Sequence, residues 1–252
     1  MPRKKPPTGK VGVYLLRDIA IAVLEAHLFP PVRKIVSRRG GPKKHEVTSR
    51  KNKKNMPALS RITLEGDYEL GAFYWLESNS AIVWYKHQPF TIRFNDGELT
   101  ISYTSDFLAK MEDGSFTLYE VKKSNSLEDK DVQARLKSIR KALSKTSVRF
   151  EVLTSDELNA QPKFDTLASL YGQTSTAITQ KKVIETAKRE FLLSLKYLGG
   201  SAKMKALKSV SPFVCEAGLA VAIFDGLVTS KYRLPICDGF DVSLTPAGYE
   251  EC

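Results

Sequence analysis

Apolar and polar positions alternate with different periods along the chain, and the changes of period mark its elements. Val11 to Leu28 is rich in apolar residues and stops at Pro30-Pro31, which predicts a helix over 12–28. Met1 to Lys10 is Pro- and Lys-rich and reads as disordered, and Gly40-Gly41-Pro42 opens a polar, Lys-rich loop or arm. From Leu64 to Glu77, the apolar side chains Leu70, Phe73 and Leu76 share one side of a predicted helix. Strand patterns follow at Ala81–Tyr85, Pro89–Phe94 and Leu99–Tyr103, the last two joined by the turn Asn95-Asp96-Gly97. A second hairpin joins Asp106–Met111 to Phe116–Val121 through Glu112-Asp113-Gly114.

A helix is then predicted to begin at Ser126 as its cap, with Asp129 three residues on. Val132, Leu136, Ile139 and Leu143 form its apolar stripe, and Lys130, Arg135, Lys137, Arg140, Lys141 and Lys145 its basic face. Arg149 to Leu153 reads as a strand, and Thr154-Ser155-Asp156 starts another helix. Helix, hairpin-linked strands, helix and strand make an α/β (α+β) domain, with linker signals at Gln161-Pro162 and Gln173–Gln180. The remainder reads as helices over Ile178–Leu198, Ser201–Lys208 and Ser211–Asp225, with strands near Val228 and Val242–Leu244. That is the order of a winged helix-turn-helix. The predicted domains are thus a basic N-terminal helix and arm (1–61), an α/β core (62–162) and a smaller, helical, winged-helix-like domain (163–252).

Charge changes this picture. The net charge is +11, yet residues 1–61 hold sixteen Lys/Arg against three Asp/Glu, so the whole surplus sits in the first quarter of the chain. Its densest part carries Arg38, Arg39, Lys43, Lys44, Arg50, Lys51, Lys53 and Lys54. Such a block matches a phosphate backbone, because neutralising phosphates releases condensed counterions. An anionic membrane is a poorer match, since the block lacks an adjacent apolar anchor. Arg17, Asp18 and Glu25 interrupt the most apolar stretch and argue against a membrane span or signal peptide. Cys215, Cys237 and Cys252 are odd in number and form no CxxC pair, which reads as reduced thiols in an intracellular protein.

Candidate chemistry lies in the second hairpin. Glu120 and Lys122 are two apart on a strand and leave it on one face. Asp106 lies on the preceding strand, within cross-strand reach of Glu120. Two converging carboxylates make a hard oxygen site suited to Mg²⁺ or Mn²⁺. A nearby lysine can stabilise charge on an attacked phosphate or orient the attacking water. Glu69, on the preceding helix, offers a third carboxylate and a place for a second ion. An Asp-Gly hairpin with a Glu/Lys pair on a solvated face would produce the same short pattern.

These residues resemble a family. Asp67-Tyr68-Glu69-Leu70-Gly71-Ala72-Phe73, Leu76-Glu77, Ile82 and Gln88-Pro89 look like the N-terminal half of TnsA, the restriction-enzyme-like endonuclease of heteromeric transposases. Thr104-Ser105-Asp106-Phe107-Leu108, Asp113-Gly114 and Val121-Lys122 continue the match, and Val152–Glu157 resembles the strand-to-helix exit. The resemblance covers residues 60–160 well and the C-terminal unit loosely. It implies a PD-(D/E)xK nuclease core. In that core Glu69 is the helical carboxylate, Asp106 the metal-bridging aspartate and Glu120–Lys122 the (D/E)xK pair, with the Val121 carbonyl a further metal ligand. Ser105 departs from the proline often found there, and Gln88 is taken as structural.

The resemblance further implies hydrolysis at the 5′ ends of a transposon, on double-stranded DNA, in the cytoplasm of a bacterium and associated with its nucleoid. A DDE transposase resembling TnsB cuts the 3′ ends, and an AAA+ ATPase regulator resembling TnsC contacts the C-terminal part. The helix ending at Asp225 has no Lys or Arg after Phe213 but does carry Glu216, which suits a protein partner better than base readout. Two other functions fit the same residues: a stand-alone phage, repair or restriction nuclease, and a non-enzymatic DNA-bridging protein. The intact Glu69/Asp106/Glu120/Lys122 set argues against the second.

Overall fold

The computed structural model describes residues 12–32, 41, 43–97, 99–176 and 181–252. Residues 1–10, Arg38 and Arg39 of the expected arm, and the end of the expected linker, 177–180, lie outside the described residues. The chain divides into two compact units, one of residues up to Ala72 plus Ala81–Glu157, the other of Phe73–Ser80 plus Leu158–Cys252. The described residues before 62 fall in the first unit, and the division lies just before Leu158.

The first unit opens with strand β1 (Val13–Leu15) and helix α1 (Ile19–Glu25), flanked by 3₁₀ turns at Leu16–Asp18 and Ala26–Leu28. The single helix expected over 12–28 is thus a strand and a shorter helix. Val13–Leu15 pairs in parallel with Thr91–Arg93, a partner too far along the chain for local periodicity to reveal. Strand β2 (Lys44–Thr48), helix α2 (Arg50–Asn55) and strand β3 (Arg61–Glu65) follow. The expected loose arm is therefore ordered from Lys44 onward as a β2–β3 antiparallel ribbon with a capped helix between. Helix α3 (Asp67–Ser78) starts later than the predicted Leu64. The alternation of Ile62 and Leu64 with polar neighbours makes a strand, and Gly66 at φ 88° turns the chain from strand to helix.

Next come β4 (Ile82–His87), β5 (Thr91–Asn95), β6 (Thr100–Thr104), β7 (Phe107–Met111), β8 (Phe116–Lys122), α4 (Lys130–Leu143) and β9 (Val148–Thr154). One sheet runs β4-β7-β8-β9, antiparallel except for its last, parallel pair, which α4 crosses over. A second sheet runs β1-β5-β6. This is a mixed α+β, restriction-endonuclease-like fold. The cap of α4 is Asp129, whose carboxylate accepts from the N–H groups of Asp131 and Val132, while the Ser126 hydroxyl turns back to the Lys123 carbonyl. Asp129 takes the cap because its carboxylate is charged and the helix end carries partial positive charge. Ile139 and Leu143 of α4 are buried with Ile92, Leu108 and Leu118 in the core of this unit, and Leu136 of the same stripe is buried as well. Each such side chain contributes roughly 2 kcal/mol by burial.

Two polar knots hold the edge of the main sheet. Asn52 of α2 binds both backbone groups of Tyr85, donating to its carbonyl at 2.7 Å and accepting from its N–H at 3.0 Å. Lys51 donates to the Ile82 carbonyl at 2.7 Å and Asn55 to that of Val83 at 2.7 Å. The outer row of β4, which would otherwise lack partners, is met by α2 side chains. Lys86 is buried and donates to the carbonyls of Ala26, Phe29 and Pro89, and burial lowers its pKa to about 8.

The short helix α5 (Ser155–Leu158) ends at the division, and the second unit continues with α6 (Lys163–Thr176), α7 (Lys181–Tyr197), β10 (Ser201–Lys203), α8 (Met204–Val210), α9 (Glu216–Phe224), β11 (Val228–Thr229), β12 (Asp241–Leu244) and α10 (Pro246–Glu251). The strands form an antiparallel sheet in the order β10-β12-β11. Part of the segment expected as linker, Gln173–Thr176, is the end of α6, and Ser201–Lys203 is strand rather than helix because it pairs with Asp241–Ser243. Gly218 through Phe224 are all buried, so α9 is the core of this unit and not an exposed partner stripe. Gly218 permits its approach to α7, since a Cβ there would meet the Ala187 carbonyl oxygen at 2.6 Å. No helix among the described residues is long and apolar enough to cross a membrane.

Candidate active site

Asp106 stands just before β7, one residue beyond the Phe107–Tyr119 pair, and this register brings it beside Glu120. Its backbone is set by Gln88, whose N–H donates to the Asp106 carbonyl at 2.8 Å. Gln88 itself has φ 43°, a conformation rare outside glycine and held here between the Asp106 carbonyl and the Val32 N–H. The Asp106 carboxylate accepts a hydrogen bond from the Val121 N–H at 2.7 Å. Burial and the neighbouring Glu120 carboxylate push its pKa up to about 7, with a smaller push from Glu69 and opposing pulls from the Val121 N–H and Lys122.

Glu120 is buried on β8. One carboxylate oxygen accepts from the Tyr103 hydroxyl at 2.9 Å and the other from the Lys122 ammonium at 2.5 Å. Burial, with the Glu120 carboxylate beside it, raises the Tyr103 pKa well above its ordinary value and keeps the phenol protonated as a donor. Glu69, buried in the first turn of α3, accepts from the Glu65 N–H at 2.7 Å and hydrogen-bonds the His87 ring at 3.0 Å through one oxygen. His87 packs against Phe107 with ring centroids 5.2 Å apart.

The fold thus gathers Asp106, Glu120, Val121 and Lys122 directly and places Glu69 within electrostatic reach of Asp106. Among the described residues, no three His, Cys, Asp or Glu side chains are already drawn together as a ligand cage. The donor chemistry nonetheless fits a hard divalent cation. Half-buried Asp106 and buried Glu120 are neighbouring carboxylates whose mutual repulsion a cation would relieve, and their oxygens are the ligand type Mg²⁺ prefers.

The basic residues fare differently. Lys43, Lys44, Lys53 and Lys54 are exposed, with Lys44 paired to Glu46 at 3.2 Å. Arg50 and Lys51 are half-buried, and Lys51 is engaged with the Ile82 carbonyl. Tyr103, His87 and Arg135 are site residues that sequence reasoning missed. The signal for His87 was its place next to Gln88-Pro89, and for Arg135 its place on the basic face of the helix after the Glu-x-Lys strand. Tyr103 left no signal beyond an apolar position in a strand.

Residues 79–155 match the family described as TnsA-like endonuclease N terminal. The match contains Asp106, Glu120, Val121 and Lys122 and begins after Glu69. It brings an endonuclease domain of the transposase-associated type to the same strands that carry the clustered carboxylates. A comparison with curated proteins gave no match.

Proposed function

We propose that the chain is a Mg²⁺-dependent DNA endonuclease that hydrolyses phosphodiesters at the 5′ ends of a transposon. The observation that carries this reading is the pairing of half-buried Asp106 with buried Glu120, with Lys122 on the same face of β8. Asp106, Glu120 and the Val121 carbonyl would hold the ion, with Glu69 available beside them; Mn²⁺ would fit the same oxygens. An ion held there would supply Lewis-acid polarisation of the phosphate and a more acidic water. The Tyr103 hydroxyl fixes the Glu120 carboxylate, the Val121 N–H fixes Asp106, and His87 orients Glu69. Lys122, which donates to Glu120 on the same face of β8, would present its ammonium Nζ to the charge that develops on the attacked phosphate.

The exposed lysines before and within α2 would follow the DNA backbone. A DDE transposase would cut the 3′ ends, and an AAA+ ATPase regulator would dock on the second unit, whose helix-and-sheet order resembles a winged helix. With α9 buried, support for that docking shifts to exposed side chains such as Tyr197, 80% exposed, and Phe213, 63% exposed. The protein would act in the bacterial cytoplasm, on the nucleoid.

The test is cleavage of duplex carrying transposon ends, in Mg²⁺, with and without the transposase. Asp106→Ala and Glu120→Ala are each expected to abolish cleavage while circular dichroism stays native, and Lys122→Ala to lose most turnover. Cleavage by Asp106→Ala at the wild-type rate would overturn the site. Full activity without the transposase, on duplex lacking ends, would favour a stand-alone nuclease.

A further inference from the structure

Beside Asp106 lies a small polar cavity of about 240 Å³, lined by Gln88, Ser102, Thr104, Asp106 and Arg135. Its volume falls below the ~300–1,000 Å³ of pockets that enclose drug-sized molecules, which suits a single small anionic group. Arg135 reaches it from the second turn of α4 and anchors one guanidinium nitrogen on the Ser102 carbonyl of β6 at 3.1 Å. A second contact, Ser138 to Asp96 at 3.3 Å, ties the same helix to the β5–β6 hairpin. The guanidinium is thereby tied to β6 beside the cavity that it helps to line, while the residue is otherwise exposed to solvent. Among the described residues, no carboxylate lies within ion-pair distance of Arg135.

A planar, anchored guanidinium without a carboxylate partner is the group that best matches the paired oxygens of a phosphodiester. Ser102 and Thr104, both hydroxyl-bearing, line the same cavity, and the Thr104 hydroxyl shares a 2.6 Å hydrogen bond with that of Thr91. Asp106 lines the cavity too, so an anion held at its Arg135 end lies beside the proposed reaction centre.

We propose that Arg135, with Ser102 and Thr104, seats the phosphodiester of the substrate strand adjacent to the one attacked at Asp106 and Glu120. This rests on the nuclease reading and adds to it the register of the cleaved strand. Arg135 binds and positions DNA; it takes no proton and holds no metal. The alternative is an arginine that only ties α4 to β6.

The experiment uses the full chain with fluorescent duplex in Ca²⁺, read by anisotropy across a salt series. Each duplex in a set carries one uncharged methylphosphonate at a different linkage of the cleaved strand. Wild-type affinity is expected to drop roughly 10-fold at one linkage beside the cleavage site, as for loss of a charge-assisted hydrogen-bond pair. Arg135→Gln is expected to bind the unmodified duplex about 10-fold more weakly, to show no further loss at that linkage, and to flatten the log–log salt slope by ~0.9. Arg135→Lys should keep the slope while regaining only part of the affinity.

In Mg²⁺, Arg135→Gln should raise KM more than it lowers kcat. An Arg135→Gln protein with the wild-type slope and wild-type methylphosphonate profile would overturn the proposal, and so would absence of duplex binding by the wild type. The nuclease reading fails separately, if wild type shows no Mg²⁺-dependent cleavage that Asp106→Ala removes. The binding measurements then still decide the phosphate seat.

Discussion

Glu69 and His87 are joined by a 3.0 Å hydrogen bond inside the first unit, where both side chains are buried. The oxygen that meets the ring also accepts the Glu65 N–H, so the carboxylate is oriented from two sides. A carboxylate held this way keeps its geometry when a cation arrives, which is how groups behind a ligand tune metal affinity. His87→Ala is therefore expected to keep the fold but weaken Mn²⁺ binding, and Mg²⁺-dependent cleavage with it, by ~10- to 100-fold. Electron paramagnetic resonance of Mn²⁺ titrations reads the first effect. Unchanged Mn²⁺ affinity would show that Glu69 is not a ligand.

The Asp106–Glu120 repulsion makes the site costly to the folded chain at high pH. Burial and Glu120 raise the Asp106 pKa, so between its ordinary value and about 7 the folded state binds this proton and the unfolded state does not. Stability from this group falls as pH rises through that window and is constant above it. Asp106→Asn removes the penalty. The variant is expected to be more stable than wild type by ~2 kcal/mol near pH 8, and the advantage should vanish near pH 4. Mg²⁺ should narrow the gap near pH 8 by stabilising wild type alone. Urea denaturation measures all three, and a variant less stable than wild type near pH 8 would contradict the assignment.

The parts of the site legible in the sequence were those with local spacing. Glu120 and Lys122 share a face because strands have period two, and the Asp113-Gly114 turn fixes which residue of the preceding strand lies opposite. The parts that were not legible depend on distant pairing. Tyr103 reaches Glu120 from a different sheet, His87 reaches Glu69 from the far end of β4, and Arg135 enters from a helix whose basic face looks merely solvated. The same reason explains β1 and β3. Val13–Leu15 and Arg61–Glu65 are strands because β5 and β2 pair with them, and their apolar density alone was equally compatible with helix.

Ser105, where the related cores often have proline, is buried with its hydroxyl lacking a hydrogen-bond partner among the described residues. A buried unsatisfied hydroxyl costs the folded state about 1–3 kcal/mol. Ser105→Ala is expected to raise stability by about 1 kcal/mol, because it removes the orphan atom and leaves the backbone next to Asp106 unchanged. Chemical denaturation reads the change, and a loss of stability would show that the hydroxyl has a partner, such as water.

Asn52 offers the opposite case. Its amide meets the Tyr85 N–H and carbonyl and the Leu59 carbonyl, all at 2.7–3.0 Å. Asn52→Ala strands these groups at the edge of the main sheet and is expected to cost ~3 kcal/mol. Because β4 then presents an uncovered edge, the variant should also aggregate on partial unfolding. Denaturation and light scattering measure the two effects, and a cost below about 1 kcal/mol would show that water replaces the amide.

The basic block separates by what each cation already touches. Deleting residues 1–54 would not isolate charge from structure, because β2 pairs with β3 and α2 holds β4. Substitutions within α2 separate the two. Lys53 and Lys54 project into solvent, whereas the Lys51 ammonium donates to the Ile82 carbonyl. A solvated lysine that meets a phosphate releases a counterion, and its loss flattens the log–log salt dependence of DNA affinity by ~0.9. Lys53→Ala with Lys54→Ala should therefore flatten the slope by up to ~1.8 and leave the unfolding midpoint within error. Lys51→Ala should do the reverse, lowering stability by ~1 kcal/mol while the slope holds. Binding of labelled duplex across a salt series, beside urea denaturation of the same proteins, reads both. A slope that flattens in Lys51→Ala but not in the double variant would mean that the DNA backbone runs along the sheet edge instead of the outer face of α2.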